Sequence, residues 1–340
     1  MLDATDSLRR VISGADLGRA EMEELIGALM DGELEAPVQA ALLAALATKG
    51  ESVDEIAGAA AAMRRRAVPL AHQRPEAVDT CGTGGDGKGT FNISTAAAIV
   101  AAAAGVPVAK HGNRSVSSRS GSADLLEALG VAVQQTPEHA ATALEDIGIA
   151  FLFAPGYHPA MKQVMPVRRA LGVRTLFNVL GPLTNPAGAR RQLLGVYAPH
   201  LVDRLAWVLA ELGSEHALVV HGADGLDEIT LTGPTRLAEL CRGRVETRTL
   251  EPEELGFERV AAAALAGGAP AENAAALERL LAGEAGPLAE VTVLNAGAAV
   301  YVGGLEEDLR GGVERARRAL DSGAAAAKLE ELRRVSGETG

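Results

Sequence analysis

A small all-helical domain plus a larger α/β domain with a mostly parallel central sheet is the fold class this sequence predicts. Three observations carry it. Residues 7 to about 66 place apolar side chains at helical spacing. From Ala77 onward, short apolar runs alternate with helical patterns, the rhythm of strands joined by crossover helices. At the change of rhythm lies a glycine-rich loop between a strand and a helix, where such sheets place ligands.

In the helical part, Leu8, Val11 and Ile12 start one stripe, and Met22, Leu25, Ile26 and Leu29 form another. Segments 40–47 and 53–63 continue the pattern, punctuated by Gly32 and Gly50. Taken alone, this part reads as packing. Pro69 and Pro75 mark a linker, which puts the helical domain at 1–70 and starts the α/β domain at 75. Strands are expected at 78–80, 106–109, 149–153, 193–197 and 217–220. The alanine-rich tract 261–276 reads as a loop and a helix without chemistry.

The bulk properties narrow the function. The chain has 340 residues, 48% apolar and 22% charged, as in a folded protein of about two domains. Its net charge of −12 argues against nucleic-acid and anionic-membrane partners. Cys81 and Cys241 are too far apart for a CxxC motif or a Cys-rich zinc centre, and a reducing cytoplasm is the expected location. The acidic N-terminus does not read as a signal peptide, and the apolar run 96–109 is too short to span a bilayer.

The loop from Asp79 to Thr95 contains Gly82, Gly84, Gly85, Gly87 and Gly89. Glycines let backbone amides approach an anion, and a following helix start adds partial positive charge. Asn92, Ser94 and Thr95 are candidate caps. Gly82-x-Gly84-x-x-Gly87 resembles a dinucleotide fingerprint, but the next strand ends in Lys110-His111 without the required acid. Gly82 to Lys88 begins a Walker A pattern, but Gly89 stands where Ser or Thr must hold magnesium.

Charge is unevenly spread. No Asp or Glu occurs from 87 to 123 or from 147 to 202, while Lys88, Lys110, Arg114, Arg119, Lys162, Arg168, Arg169, Arg174, Arg190 and Arg191 do. These stretches are expected to line one anion-binding cleft. Segment 110–118 adds an amide and several hydroxyls, and Ser120 or Ser122 is expected to cap the next helix. Asp224, Asp227 and Glu228 follow a strand. Gly222 and Gly225 make the backbone irregular, so Asp227 and Glu228 can converge on a Mg²⁺ region or form a plain acidic turn. Tyr157 and His158 are candidates for binding, since they follow a strand inside an acid-free stretch. His72, His139, His200 and His216 carry no such context, and His221 is left open.

With segments 82–95, 110–118, 153–161, 174–186, 221–228 and 295–299 in this order, the chain resembles the anthranilate phosphoribosyltransferases of tryptophan biosynthesis. That resemblance implies transfer of phosphoribosyl from 5-phosphoribosyl 1-diphosphate to the amine of anthranilate. It implies diphosphate contacts from Gly82, Gly85, Asp86, Thr90, Asn92, Ile93, Ser94, Thr95, Lys110, His111, Gly112, Asn113, Arg114, Ser115, Val116, Ser117, Ser118 and Ser122. Anthranilate would meet Gly82, Asn113 and Arg168, with His111, Tyr157 and His158 nearby. Ser94, Asp227 and Glu228 would serve Mg²⁺, two ions per subunit. No general base is assigned. A homodimer is implied, as is completion of the helical domain by a segment near 165–190, leaving 75–164 and 191–340 as the α/β domain. The competing readings are a pyrimidine nucleoside phosphorylase-like enzyme and a noncatalytic relative that binds nucleic acid.

Overall fold

The computed structural model describes residues 3–115 and 119–337. Val116, Ser117 and Ser118, expected in the anion site, lie outside the described residues. The chain opens with helices α1 (Ala4–Ile12), α2 (Arg19–Met30), α3 (Ala36–Lys49) and α4 (Val53–Arg66). Asp3 caps α1 by accepting from the amides of Thr5 and Asp6. Ser52 and Glu55 form a capping box on α4. Ile12 departs from its expected stripe: it is 69% exposed, while Val11 is buried.

The sheet begins with β1 (Val78–Asp79) and continues through α5 (Ile93–Ala103), β2 (Val108–Gly112), α6 (Ser122–Ala128), α7 (Pro137–Ile147) and β3 (Ile149–Phe153). Helices α8 (Ala154–Tyr157), α9 (Met161–Leu171) and α10 (Phe177–Leu180) lead to β4 (Arg191–Gly195), α11 (Leu201–Glu211) and β5 (His216–Gly222). A hairpin of β6 (Thr235–Cys241) and β7 (Arg244–Leu250) follows. Helices α12 (Pro270–Leu281), α13 (Pro287–Val302), α14 (Leu309–Asp321) and α15 (Ala324–Gly337) complete the chain.

The seven strands are ordered β3-β2-β1-β4-β5-β6-β7, parallel from β3 through β5 and antiparallel at β6 and β7. The order reverses between β1 and β4. That reversal opens a crevice at the carboxyl ends of these two strands, where doubly wound sheets bind ligands. Successive strand residues face opposite sides, so Leu193, Leu218 and Val220 join the core built on α5 and α13. Leu194, Val219 and Ala238 join a second core, which continues through α11 into α2, α3 and α4. Val164, Leu176, Phe177 and Leu180 of the 165–190 neighbourhood belong to this second core.

Two expectations fail locally. Neither Ser120 nor Ser122 caps α6; Asp124 instead accepts from the amides of Gly121 and Ser115. Asn92 precedes α5, but its side chain bonds Ser120 and Asn273 rather than the helix amides.

Glu55 is fully buried and accepts from the amide of Leu17 at 3.0 Å, the amide of Ser52 at 2.8 Å and Lys49 Nζ at 2.9 Å. Lys49 is itself nearly buried, and Asp16 is its other carboxylate partner. Removing Glu55 therefore strands a buried amide and weakens the neutralisation of Lys49. Glu55→Ala is expected to cost about 3 kcal/mol in urea unfolding. A cost below about 1 kcal/mol would show that solvent replaces these bonds.

Candidate active site

β1 ends at the glycine loop. Gly84, Gly85, Gly87 and Gly89 all have positive φ, and a Cβ at Gly84, Gly87 or Gly89 would meet nothing within 4 Å. These glycines answer a backbone requirement and leave the loop face open. Thr83 donates its amide to Gly195 O at 2.8 Å, and its hydroxyl accepts from the amide of Tyr197 at 3.0 Å. On its far side the loop is clasped by the alanine-rich tract. Phe91 donates to Leu265 O, Gly267 donates to Gly89 O, and Thr90 bridges Ala266. Asn273 of α12 donates to Asn92 Oδ1 at 2.8 Å. The tract expected to be without chemistry thus shapes the loop.

Asp227 and Glu228 converge on this loop. Asp227 Oδ2 accepts from the Gly84 amide at 2.8 Å, and Glu228 Oε1 accepts from the Ser94 amide at 3.1 Å. The irregular backbone that turns both inward is held by Asp224, which accepts from the hydroxyls of Thr230 and Thr232 and from the Leu226 amide. Asn295 of α13 pins it from behind through the Ile229 amide and carbonyl. Burial, and then the charge of neighbouring carboxylates, pushes both acids above the usual range, with Asp86 acting on each. Asp86 is therefore the third member of an acidic cluster, and its Oδ2 has no hydrogen-bond partner among the described residues. The donor set is all oxygen: three carboxylates and the Ser94 hydroxyl. That suits a hard divalent cation such as Mg²⁺.

Lys110 is 4% exposed and lies beneath the loop, donating to Thr80 O, Thr80 Oγ1 and Ser94 Oγ at 3.2–3.3 Å. Its charge favours ionised Glu228 and Asp79. Asp79 is fully buried and pushed up to about 6 by burial, although Lys110, Asn185 and the amides of His111 and Cys81 oppose that. The Asp79, Cys81 and His111 donors lie close together, but both Asp79 oxygens are committed to these bonds, so this group is a structural hub.

Other expected residues are placed less centrally. The Ile93 side chain is in the core and its amide bonds Phe91 O. Thr95 is buried, with its hydroxyl unpartnered among the described residues. A Cβ on Gly112 would strike Ser122 Oγ and Phe151. Asn113 is exposed and accepts from the Arg114 amide. Arg114 departs from expectation: it is paired with Asp124 and Glu127 of α6, because that helix offers two carboxylates within reach. Arg119 pairs with Glu272, and Arg190 and Arg191 pair with Glu215 at the amino end of β4, away from the crevice. The acid-free stretches therefore do not line a single cleft.

Arg168 on α9 is half-buried, lies 5.6 Å over the Phe177 ring and has no ion-pair partner among the described residues. Arg174 stacks 4.2 Å over Tyr197 and donates to Gly85 O, a clamp on the loop not anticipated from the sequence. His111 and His158 are buried with ring centroids 5.2 Å apart. Burial holds them down, to about 3 and about 4, with the other ring adding to the effect at His111. Tyr157 is buried, and its hydroxyl is unpartnered among the described residues. His221 Nδ1 lies 2.7 Å from Val196 O, a structural contact.

Two family models match the chain: the α/β domain of a glycosyl transferase family over residues 74–326 and the helical bundle domain of that family over 5–67. The chain is 52% identical to anthranilate phosphoribosyltransferase of Desulfatibacillum aliphaticivorans over 336 residues, 99% of each protein. The crystal structure of the Thermus thermophilus anthranilate phosphoribosyltransferase superposes with a TM-score of 0.92 at 50% identity, covering 98% of this chain and 99% of that one. The Saccharomyces cerevisiae enzyme in complex with PRPP and Mg matches at 27% identity and a TM-score of 0.89, covering 99% of this chain and 98% of that one. In complex with 4-fluoroanthranilate it matches at 26% and 0.88 with the same coverage. Likeness this high, over nearly the full length of both chains and across both helical and α/β parts, places the chain in the anthranilate phosphoribosyltransferase family.

Proposed function

We propose that the protein transfers the phosphoribosyl group of 5-phosphoribosyl 1-diphosphate to the amine of anthranilate, releasing pyrophosphate. The observation that carries this reading is the open run of positive-φ glycines facing Asp227 and Glu228 across the crevice between β1 and β4. Backbone amides exposed by the glycines on one side and a carboxylate cluster on the other suit a diphosphate bridged to a divalent cation. Mg²⁺, two ions per subunit in this reading, would be held by Ser94, Asp227 and Glu228, where it supplies charge for the departing diphosphate. The crowding of Asp86 with these acids supports a resident cation, since like charges repel unless one intervenes.

The chain's own residues do the rest. The amides of Gly85, Asp86, Gly87 and Gly89 hold the anion, those of Gly84 and Lys88 being bonded to Asp227 and Asp86, and Lys110 keeps the base of the loop positively biased. Arg168, without an ion-pair partner among the described residues, presents its guanidinium for the anthranilate carboxylate. The aromatic amine is neutral at pH 7, so its nitrogen lone pair can attack C1 as the C1–oxygen bond breaks. The bond electrons leave with pyrophosphate, and the nitrogen then sheds a proton to solvent. Holding the amine in line accounts for part of the ~7–11 kcal/mol that orientation can supply. No general base is needed, and His111 and His158 serve as a neutral wall.

The helical unit 1–70, completed near 165–190, and the α/β unit 75–164 with 191–340 are the domains of this reading. A homodimer in the cytoplasm, without nucleic-acid or membrane partners, is supported by family membership and the net charge of −12. Among the described residues no helix is long and apolar enough to cross a membrane.

Anthranilate fluorescence should fall only when phosphoribosyl diphosphate and Mg²⁺ are both present. Persistence of the signal at saturating concentrations would overturn the reading, and thymidine phosphorolysis would replace it with the phosphorylase alternative. Asp227→Asn and Glu228→Gln should abolish the decay yet keep or raise Tm in a chelator, because each removes charge from a crowded cluster; unfolding of both variants would assign these acids to structure. Arg168→Ala should lower kcat/KM for anthranilate by about 10–150-fold, the loss of one charge-assisted bond. A larger effect on the KM of the diphosphate would move Arg168 to the other substrate.

The buried histidines set a pH dependence. Their folded pKa values lie below the unfolded value of about 6.5, so stability is complete above that pH. Below it the unfolded chain takes up protons that the native rings refuse. Stability should fall with pH from about 6.5 towards 4, each ring adding up to about 1.4 kcal/mol per pH unit. His111→Asn and His158→Asn should each flatten this slope in urea unfolding; an unchanged slope in both would show that the rings are hydrated.

A further inference from the structure

We propose that His216, Glu239 and Cys241 form a Zn²⁺-binding site at the end of the sheet opposite the catalytic crevice. The three ligand atoms all lie within 4.8 Å of one another. Strand pairing explains why. His216 on β5 is directly opposite Cys241 on the antiparallel β6, and Glu239 lies two residues before Cys241. Cross-strand partners share a face, as do residues two apart along a strand, so all three side chains project from one side of the sheet. Along β5, from His216 to Gly222, roughly 20 Å separate this cluster from the crevice.

The donor set is an imidazole nitrogen, a carboxylate oxygen and a thiol sulfur, a mixture that suits zinc and not the oxygen-seeking Mg²⁺. Tetrahedral zinc with bonds of ~2.0–2.3 Å needs donors about 3.3–3.8 Å apart, within reach of side-chain adjustment here. Glu239 is the hub of the hydrogen bonds in this cluster. Its Oε1 lies 2.9 Å from His216 Nε2 and accepts from the Tyr301 hydroxyl of α13 at 2.6 Å. Tyr301 also meets the His216 ring edge-on at 4.8 Å, so both ligands have an outer support. On metal binding, His216 gives up its bond to Glu239 and exchanges its ring proton through solvent from Nε2 to Nδ1, so that Nε2 offers a lone pair to zinc; Glu239 keeps the Tyr301 bond, and the Cys241 thiol loses its proton to solvent.

The position of Cys241 is enforced by the hairpin. Arg242 and Gly243 both have positive φ and close a two-residue turn, bringing Cys241 opposite Arg244. His216, Cys241 and Tyr301 line a cavity of about 810 Å³ that is open to solvent. Three protein ligands beside such a cavity leave the fourth coordination position for water or a small anion.

The test is cobalt substitution of the full chain after treatment with a chelator. Co²⁺ alone should produce a thiolate-to-cobalt charge-transfer band and strong tetrahedral visible bands, which an all-oxygen catalytic site cannot give. Cys241→Ser should abolish the charge-transfer band, Cys81→Ser should leave it, and Zn²⁺ should displace it. Tyr301→Phe should keep the band but weaken the metal by about 10–100-fold. Anthranilate transfer with Mg²⁺ should be unchanged in Cys241→Ser. As a check that needs no variant, Zn²⁺ should protect Cys241 of the wild-type chain from alkylation, read by peptide mass spectrometry. Absence of the band, its loss in Cys81→Ser instead of Cys241→Ser, or equal alkylation with and without Zn²⁺ would overturn the proposal and leave a plain His–Glu–Tyr hydrogen-bond network.

Discussion

The close approach of two backbones, at Gly195 and Asp227, is the constraint on which the candidate site depends. A Cβ on Gly195 would stand 1.5 Å from Asp227 O, so no side chain can be accommodated there. Gly82 is a looser second contact, where a Cβ would stand 3.0 Å from Gly195 O and 3.1 Å from the Asp227 carboxylate. This contact lets the segment after β5 fold over the end of β4 and reach the loop after β1. Carboxylates that follow one strand thereby meet amides that follow another, across the point where strand order reverses. The glycines of this site therefore do two different jobs. Gly84, Gly85, Gly87 and Gly89 supply backbone shape, while Gly82 and Gly195 supply clearance.

Beneath that contact lies a buried polar hub. Asp79 ties the start of the loop to β2 through the amides of Cys81 and His111, and to the 180s segment through Asn185. Asn185 also donates to Ala109 O, so one side chain joins two strands and a connector. Burying a carboxylate is costly unless its oxygens are satisfied, and here each is. The buried Lys110 above it compensates charge and touches Ser94. The arrangement divides the labour. Charge below the loop is locked in structure, while charge above it, at Asp86, Asp227 and Glu228, is left crowded and open to a ligand.

Much of this was legible in the sequence, and the failures have physical causes. The helices of 4–66 follow apolar periodicity, and the parallel strands follow runs of buried Val, Leu and Ala. Convergence of Asp227 and Glu228 was readable because Gly222 and Gly225 break the strand pattern. Strands β6 and β7 were not anticipated. β7 is a largely exposed edge strand of Arg, Glu and Thr, and the hairpin turn carries Arg242 where Asn or Asp is usual. Arg114 was expected at the anion because a sequence shows charge but not the competing partners on α6. Arg174, Asn185, Asn273 and Asn295 act through contacts distant along the chain, which single-sequence patterns do not reveal.

The pairing of Thr90 with Ala266, and of Gly89 with Gly267, bears on how this chain tolerates change. An alanine-rich stretch between a hairpin and a helix resembles a spacer, where insertions and deletions are usually absorbed. Here its register is set by the loop that it grips. Losing or gaining one residue between Val260 and α12 would shift every carbonyl and amide of that grip, and the disturbance would emerge among the glycines at the far end of β1. Residue identity is lenient at the exposed alanines 261–263 but not at buried Leu265 or at Gly267, where a Cβ would stand 2.4 Å from Thr90 O; the length is fixed throughout.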